Sequence, residues 1–72
     1  SWDFNFDALI LVNLSDPRLL DCITERGQKR LFIIGGSLTE EIFDEKLDKK
    51  GVTYWFYPDG SEIKELFRSI MG

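Results

Sequence analysis

Histidine is absent from all 72 residues, and cysteine occurs once, at Cys22. Without imidazole and with a single thiol, a transition-metal site has almost no ligands and no internal disulfide can form. A serine or cysteine nucleophile would have no histidine to serve as its base. Positive charge is also scarce. Nine Lys and Arg face thirteen Asp and Glu, for a formal net charge of −4. That balance argues against duplex nucleic acid as a partner, because phosphate contacts need clustered cations, and it disfavours an anionic membrane surface equally. No apolar stretch approaches the ~20 residues needed to span a bilayer. The first residues lack the basic-then-apolar pattern of a secretory leader. The expected setting is reducing and cytoplasmic, with no metal, no cofactor, no nucleic acid and no membrane.

What the chain does contain is apolar and aromatic: 43% of residues are hydrophobic and 14% aromatic. Disorder is thereby excluded, since low hydrophobicity is its signature. A chain of this size forms one small domain that buries about 60% of its unfolded surface. Ser1 is not an initiator methionine and Gly72 suits a helix end, so the sequence reads as a domain excised from a longer protein or a matured segment.

Three short apolar runs each meet a cluster of turn and helix-start residues, followed by a polar segment with helical spacing. The runs are Leu9-Ile10-Leu11-Val12, Leu31-Phe32-Ile33-Ile34 and Tyr54-Trp55-Phe56-Tyr57. A strand-then-helix unit repeated in tandem predicts an α/β fold with a small three-stranded parallel sheet. The outline is shared by Rossmann-like and flavodoxin-like folds, of which this chain would supply a half. Residues 8–72 form the single βαβαβα domain. In residues 1–7, Trp2, Phe4 and Phe6 alternate with Asp3, Asn5 and Asp7, so this stretch is either an extra N-terminal edge strand or an extended arm. The second and third runs are apolar at successive positions, as in strands buried on both faces. This favours a strand order 2-1-3 with helices on both sides over an order 1-2-3, in which one face would need another domain to cover it.

Asp16-Pro17 is expected to open the first helix, with Leu19, Leu20 and Ile23 buried and Gly27 as the stop. Cys22, beside that stripe, reads as a structural thiol. Ser37-Leu38-Thr39-Glu40 has capping-box spacing ahead of a helix that buries Leu38, Ile42, Phe43 and Leu47 and ends at Gly51. A second capping arrangement at Asp59-Gly60-Ser61-Glu62 precedes the stripe Ile63, Leu66, Phe67, Ile70.

In a parallel sheet the turns that follow the strands share one edge, where ligands usually sit. Gly35, Gly36 and Ser37, with Asp16 and Asp59, are therefore the candidate ligand-binding residues. Backbone amides of a Gly-Gly turn can cradle an anion at a helix start. The carboxylates Asp16, Glu40, Glu41, Asp59 and Glu62 gather at the same edge and oppose a bare phosphate there. Arg26, Lys29, Arg30, Lys49 and Lys50 gather at the other, as helix dipoles favour. No catalytic constellation is self-contained. The aromatic side chains Trp2, Phe4, Trp55 and Tyr57 are candidate interface anchors, and an open sheet has two edges that must be blunted or paired. The leading expectation is a non-catalytic module acting through protein–protein contact or assembly, with a protein partner, a neighbouring domain or further copies of itself. The alternatives are half of a nucleotide- or sugar-nucleotide-binding domain of a transferase, and a Mg²⁺-dependent regulatory domain using Asp16, Asp59 and Ser37.

Overall fold

Isoleucine, valine and the aromatics suit pleated, half-buried backbone, and each apolar run is a strand in the computed structural model, which describes residues 6–59 and 63–72, with backbone alone at 63, 66, 69 and 70. The strands β1 (Leu9–Val12), β2 (Arg30–Ile34) and β3 (Thr53–Tyr57) alternate with the helices α1 (Arg18–Glu25), α2 (Glu40–Lys46) and α3 (Ile63–Met71). A single 3₁₀ turn, Asp48–Lys50, extends α2 towards β3. The expected arm or edge strand falls largely on residues 1–5, outside the described residues. Phe6 is described, and it is exposed and not in a strand.

All three strands are parallel, which fulfils the expectation of tandem βα units. Their order is β1-β2-β3, not the 2-1-3 arrangement favoured by the sequence. Leu9 stands opposite Leu31, and Leu31 opposite Tyr54; at the other end Val12 meets Ile34, and Ile34 meets Tyr57. Neighbouring parallel strands joined by right-handed crossovers put successive helices on one face. The packing agrees. Leu20 and Ile23 from α1, with Phe43 from α2 and Leu47 just beyond it, form one buried cluster with Leu31 and Ile33, against which Leu9, Leu11, Tyr54 and Phe56 pack. These strand residues alternate along each chain and so share one side of the sheet. Phe32, Ile34 and Tyr57 form a second cluster on the other side, joined by Ala8 and Trp55. A continuous apolar run fits burial on both faces, as in β2, but does not secure it, since Ile10 and Val12 of β1 are exposed. It does not say which strand lies in the middle.

Helix ends follow local chemistry closely in one case and not in another. After α1 the chain turns through Gly27 at φ +90, a left-handed conformation that glycine adopts without strain. The amide of Gly27 donates to the Thr24 carbonyl and that of Gln28 to the Ile23 carbonyl, the paired bonds of a Schellman stop. The start of α2 departs from expectation. Thr39, not Ser37, is its N-cap, and no side chain caps it. Upstream, Gly36, at φ +87, packs so closely on Leu14 that a Cβ would overlap the Leu14 carbonyl oxygen and come within 2.8 Å of its nitrogen. Ser37 is held in the same clasp by its amide, and α2 begins at Glu40, with its N-cap two residues beyond the expected one.

Two other stripe residues are corrected. Leu19 on α1 and Phe67 on α3 are exposed where burial was expected. The side chains of Ile63, Leu66 and Ile70 lie outside the description.

Candidate functional site

The three turns that follow the strands do meet along one edge of the sheet. Asn13, at the end of β1, donates its amide to the Ile34 carbonyl at 2.8 Å. Gly35 donates to the Tyr57 carbonyl at 2.8 Å, and Ser37 to the Leu14 carbonyl at 3.0 Å. The candidate ligand residues Asp16, Gly35, Gly36, Ser37 and Asp59 are therefore brought to a common rim. Gly60 and Ser61 lie outside the described residues.

The same bonds limit what that rim can do. Two of the three amides in the Gly35-Gly36-Ser37 turn are already donated to carbonyls of the sheet and of the neighbouring turn. They knit the sheet and do not point at an open cradle. Asp16 is likewise engaged. Its carboxylate accepts from the Arg18 amide at 2.9 Å and from the Arg18 guanidinium at 2.7 to 3.1 Å. The fork of the guanidinium matches both carboxylate oxygens, and these hydrogen bonds hold the Asp16 carboxyl at about 2, below its ordinary value of 3.8. Asp16 thus does the work expected of a helix-start residue while neutralising the one cation of the first turn. Among the described residues no set of three potential ligands is placed to hold a metal ion, and no enclosed pocket opens on the surface.

Electrostatics elsewhere are structural. Asp21 on α1 accepts hydrogen bonds from Lys46 at 3.0 and 3.1 Å and lies 3.6 Å from Lys50, joining α1 to the end of α2. The Lys46 hydrogen bond is the main reason its carboxyl is pulled below the ordinary range. Gln28 is the buried polar side chain among the described residues. Its Nε2 donates to the Arg30 carbonyl at 2.8 Å and more weakly to that of Phe6 at 3.5 Å, while its Oε1 has no hydrogen-bond partner among the described residues.

The candidate interface anchors divide. Trp2 and Phe4 lie outside the described residues. Tyr57 is buried, and Trp55 is half-buried with its ring stacked on Phe32 at 4.7 Å and 11°. The Arg30 guanidinium sits over both rings, 5.8 Å from Phe32 and 5.5 Å from Trp55. Tyr54 and Phe56 meet Phe43 on the opposite face. Most of the aromatic ring surface of β3 is therefore spent on packing to both sides.

The accessible apolar surface is elsewhere, at positions read from the sequence as interior. β1 pairs with β2 alone among the described strands, and its side chains Ile10 and Val12 are 42% and 69% exposed. Phe6 and Leu19 are exposed as well, so four of the six large apolar side chains exposed among the described residues belong to the stretch 6–19. The signal for this in the sequence is weak, because residues 31–39, equally uncharged and free of proline, hold the buried central strand. Residues 8–15 carry no charged side chain and no proline, in a chain that is 31% charged. Natural edge strands are usually blunted by such residues. The two edge strands differ after their last residue: Pro58-Asp59 follows β3 directly, whereas the first charge after β1 is Asp16.

No helix among the described residues is long and apolar enough to cross a membrane. Compared with protein-family models, with curated proteins and with solved structures, the chain matches none.

Proposed function

We propose that this chain is a non-catalytic α/β module that works by protein–protein contact, through the free edge of β1. The observation that carries the reading is the exposure of Ile10 and Val12 on a strand with one described neighbour. An unpaired strand presents a row of backbone donors and acceptors that another strand can satisfy, and alternate side chains then add apolar burial. Asn13 donates its amide inward to Ile34. By alternation the amides and carbonyls of Ile10 and Val12 point away from β2, towards an incoming strand.

The test is an amide-resolved NMR titration of the 72-residue chain with a soluble peptide of alternating valine and threonine, run beside a dilution series. Strand addition predicts shifts confined to residues 8–14 on peptide addition or on concentration, reduced by Val12→Lys. If these amides respond to neither at millimolar peptide, contact through β1 is not the function.

A further inference from the structure

Building on that edge-contact reading, we infer that the occupant of the β1 edge is the β1 strand of a second copy, antiparallel to the first about a two-fold axis at Leu11. Three features of the chain favour its own copy.

The first is the match of side chains. With Leu11 on the axis, Ile10 of one copy stands opposite Val12 of the other, and each such pair exchanges both backbone hydrogen bonds through the outward-facing groups. A two-fold axis perpendicular to the sheet keeps each face continuous across the junction. Ile10 and Val12 alternate to the same face, so the two most accessible apolar residues of β1 cover one another. A register centred one residue earlier would set Val12 against the small Ala8 and leave it largely uncovered.

The second is charge. Continuing the same register pairs Leu9 with Asn13, Ala8 with Leu14, Asp7 with Ser15 and Phe6 with Asp16. No like charges are opposed, although the chain carries a net −4 and thirteen carboxylates. Residues 8–15 carry no charge, so a second copy can approach this edge without close-range repulsion from the facing strand.

The third is the helix layer. Phe43 of α2 meets Tyr54 and Phe56 of β3, and Leu20 and Ile23 of α1 belong to the same buried cluster, with Leu9 and Leu11 of β1 packed against it. The two-fold keeps both α1 helices on the same face of the joined sheet. Leu19 on α1 adds an exposed apolar side chain to that layer. The product is a six-stranded sheet with its α1 and α2 helices on one side. Closed two-fold pairs are the commonest oligomers, because one self-complementary patch suffices.

Sedimentation equilibrium on the 72-residue chain, with isotope-filtered NOE spectra on a mixture of labelled and unlabelled copies, tests this. The expected result is a dimer with intermolecular contacts between Ile10 and Val12 methyls. Val12→Lys weakens it by on the order of 100-fold or more, because two buried apolar contacts are lost per dimer. Val12 is exposed in the monomer, so the variant keeps its fold, which far-ultraviolet circular dichroism checks. A monomer whose β1 amides still respond to the valine–threonine peptide overturns self-pairing and leaves the edge-contact reading standing. A monomer whose Ile10 and Val12 amides are already protected from hydrogen exchange overturns both, since the edge is then covered within one chain. A dimer indifferent to Val12→Lys and lacking the Ile10–Val12 contacts overturns this geometry.

Discussion

The Tyr54 hydroxyl on β3 donates a 2.6 Å hydrogen bond to Oδ1 of Asp44 on α2. This bond is the main reason the phenol is pushed up to about 12 from 10.0, with desolvation and the nearby carboxylates Asp44, Glu40 and Asp48 adding to it. A raised phenol keeps its proton in the folded chain after the unfolded chain has lost it. The contribution to stability is therefore full below about pH 10 and is lost as pH rises through about 12. Titration of the Tyr54 ring carbons by NMR should give a midpoint near 12. Asp44→Asn should move that midpoint down, towards the ordinary phenol value.

At the opposite rim the sign reverses. Asp16 is held at about 2 by Arg18, so its contribution is present above the ordinary carboxylate value of 3.8 and fades as pH falls towards 2. Arg18→Ala should raise the Asp16 midpoint in a carboxyl-detected titration. Arg18→Lys should restore part of the shift, because an ammonium lacks the two-pronged match to the carboxylate. Both residues are well exposed, and the effect should shrink in high salt.

Glycine at 36 should be irreplaceable and glycine at 35 should not be. Both have positive φ, but an added Cβ meets open space at Gly35 and the Leu14 backbone at Gly36. Gly35→Ala should cost about 1–2 kcal/mol, the penalty of a left-handed conformation alone. Gly36→Ala adds a clash with main-chain atoms and should cost more than about 3 kcal/mol. Urea denaturation of the two variants gives the comparison directly.

Phe43 is fully buried between α2 and β3, with its ring 5.6 Å from Tyr54 and 4.9 Å from Phe56. Phe43→Ala should cost about 3–5 kcal/mol. A domain this small has roughly that much stability in total. The variant should be largely unfolded by circular dichroism at room temperature, whereas Phe43→Leu should remain folded.

Salt provides an independent check on self-pairing. Two copies of an acidic chain repel at long range while their facing strands are neutral. Raising ionic strength screens the repulsion and leaves apolar contact intact. Dimer affinity should therefore rise between low salt and about 0.5 M, opposite to the behaviour of an interface built on ion pairs. Sedimentation at a few salt concentrations measures it.

The strands were the most legible part of the sequence, because short apolar runs bounded by Gly27, Gly51 and turn residues leave little else for them to be. Gly27 and Gly51 both take the left-handed conformation expected of helix stops, at φ +90 and +78. Strand order was not legible. Leu9-Ile10-Leu11-Val12 is as greasy as Leu31-Phe32-Ile33-Ile34, yet the first run lies at an edge with Ile10 and Val12 accessible and the second is buried at the centre. Hydropathy reports a preference, and only the crossovers decide which strand can satisfy it. The rim residues were foreseen together, but the engagement of the Gly35 and Ser37 amides depends on Tyr57 and Leu14, partners more than twenty residues away in each case. Capping at Ser37 was misjudged as well: the helix starts two residues later than its capping-box spacing implied, with Thr39 as the N-cap.

The clasp of Ser37 on Leu14 sets a direction for how the first strand can come loose. Leu14 accepts from Ser37 and seats Gly36. The far tip of β1 is thus latched to the entrance of α2 at 3.0 Å, while the segment before its near end is tied by the longer 3.5 Å bond from Gln28 to the Phe6 carbonyl. Fraying should start at Leu9 and stall before Leu14. In hydrogen exchange that polarity would register as a gradient of opening rates along a strand only four residues long.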